Sequence, residues 1–315
     1  MTSKTIVITG GFGYIGGRMA QKFAADGLHV RVWTRKSSNQ IPRWAFETSN
    51  IKWSNDLGEL CQGADVLIHL AAPDEVYAAK YPEISIQETN TLTRQALDAS
   101  KRSHIPRFIY FSTVHVYGAP LKGRYQETSD ALPAHPYSAA HFQSENLVNE
   151  AHGGDMHTIV FRLANGFGAP ADQLVDRWTL LVSDLCRQAC VDRQMALTTS
   201  GEQLRDFIPL SDVIAASAFF IFADDDVWKY RAVNLASGVS ISIYQMAETI
   251  LTRAQKIIHP EITLSAPMLA TNEKDMELLI DISRIRSLGF EPKRQNNIEI
   301  DNLLKFCQAT FEPKR

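Results

Sequence analysis

Three glycines at three-residue spacing, Gly10, Gly13 and Gly16, follow the β-branched run Thr5 to Thr9 and open a segment, Tyr14 to Ala25, with helix-like apolar spacing. A strand that turns through glycines into a helix aims backbone N–H groups and the positive end of a helix dipole at one place, and that place binds a pyrophosphate. The stretch Gly10, Phe12, Gly13, Tyr14 and Ile15 therefore reads as a dinucleotide-binding turn. At the end of the next apolar run stand Thr34, Arg35 and Lys36, where an acid would accept hydrogen bonds from an adenosine ribose. A neutral hydroxyl beside two cations accommodates a 2′-phosphate, so NADP(H) is expected ahead of NAD(H), which stays as the alternative. Further on, Tyr137 and His141 lie four residues apart and share one helix face, bringing together a phenol and an imidazole, two groups that pass protons.

Such residues need a frame, and the chain supplies its pattern. Short apolar runs at His29 to Trp33, Ala64 to Leu70, Arg107 to Phe111 and Thr158 to Phe161 alternate with longer helix-like segments. That alternation predicts an α/β fold, a doubly wound parallel Rossmann sheet. Past Gly166 the rhythm breaks into a helix over Gln173 to Ala189, a short strand and a further βα pair around Asp206 to Phe222, so a smaller C-terminal α/β substrate lobe is expected. Residues 1–165 with about 206–237 are assigned to the NAD(P)-binding domain, and 166–205 with 238–315 to the substrate-binding lobe. The Pro/Gly clusters at Gly118 to Gly123 and Gly166 to Pro170 read as loops over a site.

Composition narrows the partners. With 315 residues, 45% hydrophobic and 21% charged, the chain can bury a large core, and a net charge of -3 without a long Lys/Arg block argues against nucleic acid or a membrane surface as partner. A small molecule is the expected ligand. Cys61, Cys186, Cys190 and Cys307 form no C-x-x-C pair, which points to a reducing compartment and no metal site. The N-terminal Met-Thr-Ser-Lys runs straight into the first strand without a signal-peptide pattern, and a cytoplasmic enzyme is expected.

The T-G-x-x-G-x-x-G spacing resembles the short-chain dehydrogenase/reductase family, in its extended epimerase/dehydratase branch, and the resemblance runs almost the length of the chain. Asp56 and Leu57 match the family's adenine contact, Leu70, Ala71 and Ala72 its strand-4 motif along the cofactor, and Asn90 the helix asparagine that supports the active site. Ser112-Thr113-Val114-His115 resembles the catalytic Ser/Thr strand end, with Tyr137 24 residues after Thr113. The resemblance implies that Thr113 orients the substrate oxygen, with Ser112 as helper, while Tyr137 exchanges a proton with it and hydride passes to or from the nicotinamide. Arg162 to Asn165 and Arg205 to Pro209 resemble the segments that hold the sugar and nucleotide phosphates. Asn234 to Gly238 and Leu288 to Pro292 resemble later landmarks of the branch.

Two departures stand out. Where the family has Tyr-x-x-x-Lys, this chain reads Tyr137-Ser138-Ala139-Ala140-His141. His141 reaches the cofactor ribose from the same face but is expected to be only partly charged near neutrality, lowering the tyrosine pKa best in mild acid. Where sugar-nucleotide dehydratases carry Asp and Glu after the Thr, this chain has Val114 and His115, which removes the carboxylate pair for water loss. Val114, His115, Asn165, Trp178 and Arg205 are the expected substrate contacts, with Arg187 and Gln188 further candidates on the helix after Gly168. The leading expectation is an NADP(H)-dependent ketoreductase-like enzyme on a nucleotide-activated sugar, working as a homodimer. The alternatives are a 4-epimerase with tightly bound NAD and a catalytically weak NADP-binding regulatory protein.

Overall fold

Strands whose side chains are apolar on both faces must be covered on both faces, and that requirement sets the architecture. The computed structural model describes residues 3–268 and 277–311. Its main sheet has seven strands: β1 (Thr5–Thr9), β2 (His29–Trp33), β3 (Ile51–Ser54), β4 (Val66–His69), β5 (Arg107–Thr113), β6 (His157–Leu163) and β7 (Ala232–Leu235). They are parallel throughout, in the order β7-β6-β5-β4-β1-β2-β3. The side-chain period of two divides the burial: Ile6 and Ile8 join one apolar cluster and Val7 the opposite one, as Ile109 and Phe111 part from Phe108 and Tyr110. Chain order reverses between β1 and β4, and the crevice beyond the carboxyl ends of these two strands is where such a sheet takes a ligand.

A third cluster lies in the smaller lobe. It joins helices Leu181–Val191, Ile243–Ile257 and Asn296–Phe311 through residues such as Leu185, Cys186, Ile250, Leu303 and Cys307. Beside these helices, strand Gln194–Ala196 pairs with Thr263–Ser265. The segment around Leu278, Ile282 and Phe290, assigned to this lobe from the sequence, packs into the main core, and strand Leu278–Ile280 pairs with Gly123–Tyr125. The helix expected from Gln173 begins only at Leu181. Arg177, which it would have contained, is instead drawn out by ion pairs to Asp74 and Glu75 at 3.3 and 2.9 Å.

Helix Pro136–Glu150, which carries Tyr137 and His141, packs on helix Pro82–Arg102 and on β5 and β6. Its registry is fixed by a buried ion pair: Glu145 accepts from Arg162 on β6 at 2.7 to 3.2 Å and from the Ser112 hydroxyl on β5 at 2.5 Å. Both charged groups are buried, so each requires the other, and the helix cannot slide without stranding a charge.

Candidate active site

A cavity of about 790 Å³ opens at the reversal point between β1 and β4. Gly10, Phe12, Gly13, Tyr14, Ile15 and Gly16 form its floor. Gly10 has φ +70, the left-handed region, and a Cβ there would lie 3.1 Å from the Ala71 nitrogen. A side chain at Gly16 would press on the Gly10 carbonyl and come within 2.8 Å of the Gly11 Cα. Helix Tyr14–Ala25 starts at Gly13 with no side-chain cap and no acid in its first turn, leaving those amides and the helix dipole for an anion. These residues fit a dinucleotide pyrophosphate. The Tyr14 hydroxyl turns away from it, donating to the Gly168 carbonyl at 2.8 Å and accepting from the Gly168 N–H at 3.0 Å.

The wall opposite the turn is Leu70, Ala71 and Ala72, and a buried polar chain holds it there. The Thr9 hydroxyl accepts from the Leu70 and Ala71 amides, both at 3.2 Å, so its own proton goes to His69 Nδ1 at 2.7 Å. His69 Nε2–H then donates to Thr93 Oγ1 at 3.1 Å, and Thr93 donates to the Thr89 carbonyl at 2.9 Å. Burial pushes His69 down to about 3, so it stays neutral and this pattern persists. Thr93 was not singled out in the sequence, and His69, the first residue of the strand-4 motif His69-Leu70-Ala71-Ala72, reads there as a strand end until Thr9 and Thr93 are seen beside it.

At the end of β2, Thr34, Arg35 and Lys36 all line the cavity. The Thr34 hydroxyl accepts from the Lys36 N–H at 3.1 Å, and Arg35 pairs with Glu88 at 3.3 Å. Glu88, on the helix over the cavity, was missed in the sequence because nothing local marks it as facing Arg35. Asp56 and Leu57 lie outside: the Asp56 carboxylate caps the short helix Leu57–Cys61, accepting from the Glu59 N–H at 3.0 Å, and Leu57 packs on the apolar cluster under the sheet.

Tyr137, His141 and Ser112 share the other end of the cavity. The Tyr137 and His141 rings stand edge to face with centroids 4.5 Å apart. Burial, then the Glu75 and Asp74 carboxylates, push the Tyr137 phenol up to about 12, against the opposing effect of Arg177. Burial pushes His141 down to about 4, with the Phe111 carbonyl acting in the other direction. The expected partly charged histidine is thus neutral through mild acid, because desolvation of a fully enclosed ring outweighs the nearby acceptor. Ser112 is committed to Glu145, and the Thr113 hydroxyl accepts from the His115 N–H at 3.2 Å, capping the turn that follows β5. Asn90 sits behind the site, donating to Gln143 at 2.8 Å and accepting from Ser144 at 2.9 Å.

A smaller cavity of about 100 Å³ on the other side of the β5 terminus is lined by Val114, His115, Asn165 and Arg205. Arg205 reaches Asn165 at 3.4 Å and Gln203 at 3.2 Å, while its Nε is buried without a partner. Burial and the Arg205 cation hold His115 below the usual histidine range. Trp178 is elsewhere, packed on Phe306 and Phe311 in the smaller lobe. Arg187 and Gln188 both bind Asp184 on their own helix, at 2.8 and 2.7 Å. Among the described residues no group of His, Cys, Asp and Glu is arranged to hold a metal, and no helix is long and apolar enough to cross a membrane.

The glycine turn, the parallel sheet and the tyrosine helix coincide with a known family. Residues 6–236 match the model of the NAD dependent epimerase/dehydratase family. The chain belongs to that family. It is thereby an enzyme of the extended short-chain dehydrogenase type. Among curated relatives, UDP-glucose 4-epimerase of Rhizobium leguminosarum bv. trifolii is 25% identical over 268 residues, covering 78% of this chain and 81% of its own. A dTDP-glucose 4,6-dehydratase of Streptomyces niveus is 24% identical over 311 residues, covering 91% and 88%. Among solved structures, UDP-glucuronic acid 4-epimerase from Bacillus cereus in complex with NAD superposes with a TM-score of 0.81 at 20% identity, over 99% of this chain and 98% of that one. Family membership thus stands beside a family-atypical histidine at the lysine position.

The strongly depressed His141 and His69 make acid stability a test of the site. An ordinary histidine in the unfolded chain takes up a proton near pH 6.5, while His141 and His69 refuse it until about 4 and about 3. Their contribution is therefore fully present above pH 6.5 and is lost as pH falls from 6.5 towards 4. Stability measured by urea unfolding should drop by about 1.4 kcal/mol per pH unit for each of the two across that window. His141→Gln should remove one proton from that slope. An unchanged slope in this variant would show that the ring titrates normally.

Proposed function

We propose that this protein is an NADP(H)-dependent oxidoreductase acting on a keto or hydroxyl group of a nucleotide-linked sugar. The observation that carries the reading is the Tyr137 phenol facing into the dinucleotide cavity, with a second, cation-bearing cavity on the other side of the β5 terminus. The nicotinamide, when bound, supplies or accepts the hydride. The chain's part is the proton: Tyr137 Oη gives it to, or takes it from, the substrate oxygen, and its raised pKa keeps it in the donor form at neutral pH, the form that reduction requires. Arg205, with a buried Nε and no carboxylate partner among the described residues, supports an anionic substrate group such as a diphosphate. Tyr137→Phe is expected to lower kcat by about 10²-fold or more with dinucleotide affinity unchanged. Arg205→Met should instead act on the KM of the sugar nucleotide. A Tyr137→Phe enzyme with full turnover would end this assignment.

The cofactor preference rests on Arg35 and Thr34 without a carboxylate at the end of β2. Glu88 opposes it, but an ion pair this exposed is weak and a phosphate dianion can displace it. NADPH should therefore bind more tightly than NADH by a modest factor, on the order of tenfold. Arg35→Ala should erase the difference and Glu88→Gln should widen it, both by titration calorimetry. Equal affinities in the unaltered protein would refute the preference.

A 4-epimerase is the second reading, favoured by the epimerases among the relatives. Co-purified NAD(H) that does not exchange would support it over a reductase. Val114 and His115, in place of a carboxylate pair, leave no acid and base there for a dehydratase. For assembly, the helices beginning near Glu75 and Tyr137 support a homodimer: they pack on one another, and the exposed apolar side chains Val76, Tyr81 and Ile84 lie on or beside the first. Light scattering at micromolar concentration should give twice the chain mass, and a monomer would rule the dimer out.

A further inference from the structure

We infer that Tyr14 is a positioning residue that ties the second cavity to the dinucleotide turn, so that a ligand held at the turn orders the loop beside the other cavity. Tyr14 is the first residue of its helix. Its amide belongs to the uncapped first turn, where the N–H groups have no intrahelical acceptor and a pyrophosphate supplies one. Its hydroxyl grips a single residue by both backbone groups, donating to the Gly168 carbonyl at 2.8 Å and accepting from the Gly168 N–H at 3.0 Å. Burial pushes the phenol up to about 12, so it keeps the proton that this two-way contact needs.

The tie continues down one face of the helix. Arg18 donates to the Ala169 carbonyl at 2.7 Å and Gln21 to the Ala171 carbonyl at 3.4 Å, while a Cβ at Gly17 would stand 3.0 Å from that of Ala171. Positions 14, 17, 18 and 21 recur at helical spacing, so one stripe of the dinucleotide helix holds the backbone of the loop. Gly168 has little latitude of its own: its φ is +154, and a Cβ there would come within 2.9 Å of the Glu299 carboxyl carbon. Just before Gly168 lies strand Asn165–Phe167, paired with Leu204–Pro209. Asn165 donates to the Asp206 carbonyl at 2.9 Å and meets Arg205 at 3.4 Å, and all three residues line the second cavity. From the glycine turn to Arg205 the path is thus a run of direct contacts along one short strand. A ligand that fixes the Tyr14 backbone restrains its hydroxyl, and the hydroxyl restrains Gly168. A loop already ordered in this way costs less to order when a second ligand arrives.

The inference rests on the proposed function only in taking the first cavity for a dinucleotide site, and its readout needs no turnover. Amide hydrogen exchange is followed by mass spectrometry over residues 165–171, in the free protein and at saturating NADP(H). None of these residues lines the first cavity, so slower exchange there is not shielding by the ligand itself. Binding should slow it about three- to tenfold in the unaltered protein. In Tyr14→Phe, which keeps the ring and loses only the hydroxyl, the free and loaded protein should exchange alike over this stretch. A variant that exchanges faster in both states, with the ratio between them preserved, would make the hydroxyl merely structural and overturn the inference. So would an unaltered protein that binds NADP(H) without slowing over 165–171, or a Tyr14→Phe protein that no longer takes up NADP(H). An unaltered protein that binds no dinucleotide would instead defeat the proposed function, and the inference with it.

Discussion

The Thr9 hydroxyl is the point on which the site depends. It is a single buried atom group that accepts two amides from one strand end and donates to a histidine on the same strand, thereby joining β1 to β4 where the sheet order reverses. Everything that the cavity needs follows from that spacing. The glycine turn leaves β1 immediately after Thr9, and the opposite wall, Leu70 to Ala72, leaves β4 immediately after His69. A protonated His69 would lose its acceptor at Nδ1 and break the pattern, so burial of the ring both costs the charged form and secures the geometry.

The same logic of enclosed polar groups governs the tyrosine helix. Glu145 and Arg162 lock it to β5 and β6 from below, and Asn90 and Ser144 tie it to the helix beside it. Tyr137 and His141 lie on the same helix, N-terminal to both ties. Lysine in this position would bring a charge that must remain solvated or paired. Histidine pressed against Tyr110 does neither and stays neutral, which explains how the ring is accommodated where it is enclosed. The cation nearest in effect to Tyr137 is Arg177, and it is already engaged by Asp74 and Glu75.

Local pattern carried most of the fold. Strands flanked by glycines and helices, a strand-to-helix glycine turn and a tyrosine four residues before a histidine are all short-range signals, and the sheet, the turn and the cavity lie where they point. What failed to be legible is long-range. Glu88 opposite Arg35, Thr93 behind His69 and Tyr110 against His141 are separated by 53, 24 and 31 residues, and no periodicity announces such pairs. The protonation of His141 was misjudged for the same reason, since the charge of an imidazole depends on what encloses it and spacing does not encode enclosure. The start of the lobe helix was placed too early because Arg177 finds its partners about 100 residues upstream.

The helix that follows the glycine turn is tied to a residue 281 positions further along the chain. Arg18 on that helix reaches the Ala169 carbonyl at 2.7 Å and the buried Glu299 carboxylate at 3.0 Å, while Tyr14 holds Gly168. During synthesis the first thirty or so residues emerge with the turn already encoded, yet Arg18 does not meet the Glu299 carboxylate until the helix Asn296–Phe311 has been made. The helix after the glycine turn is thus anchored much later than it is made, and a chain lacking Glu299 would carry a complete glycine motif on a helix without that tie.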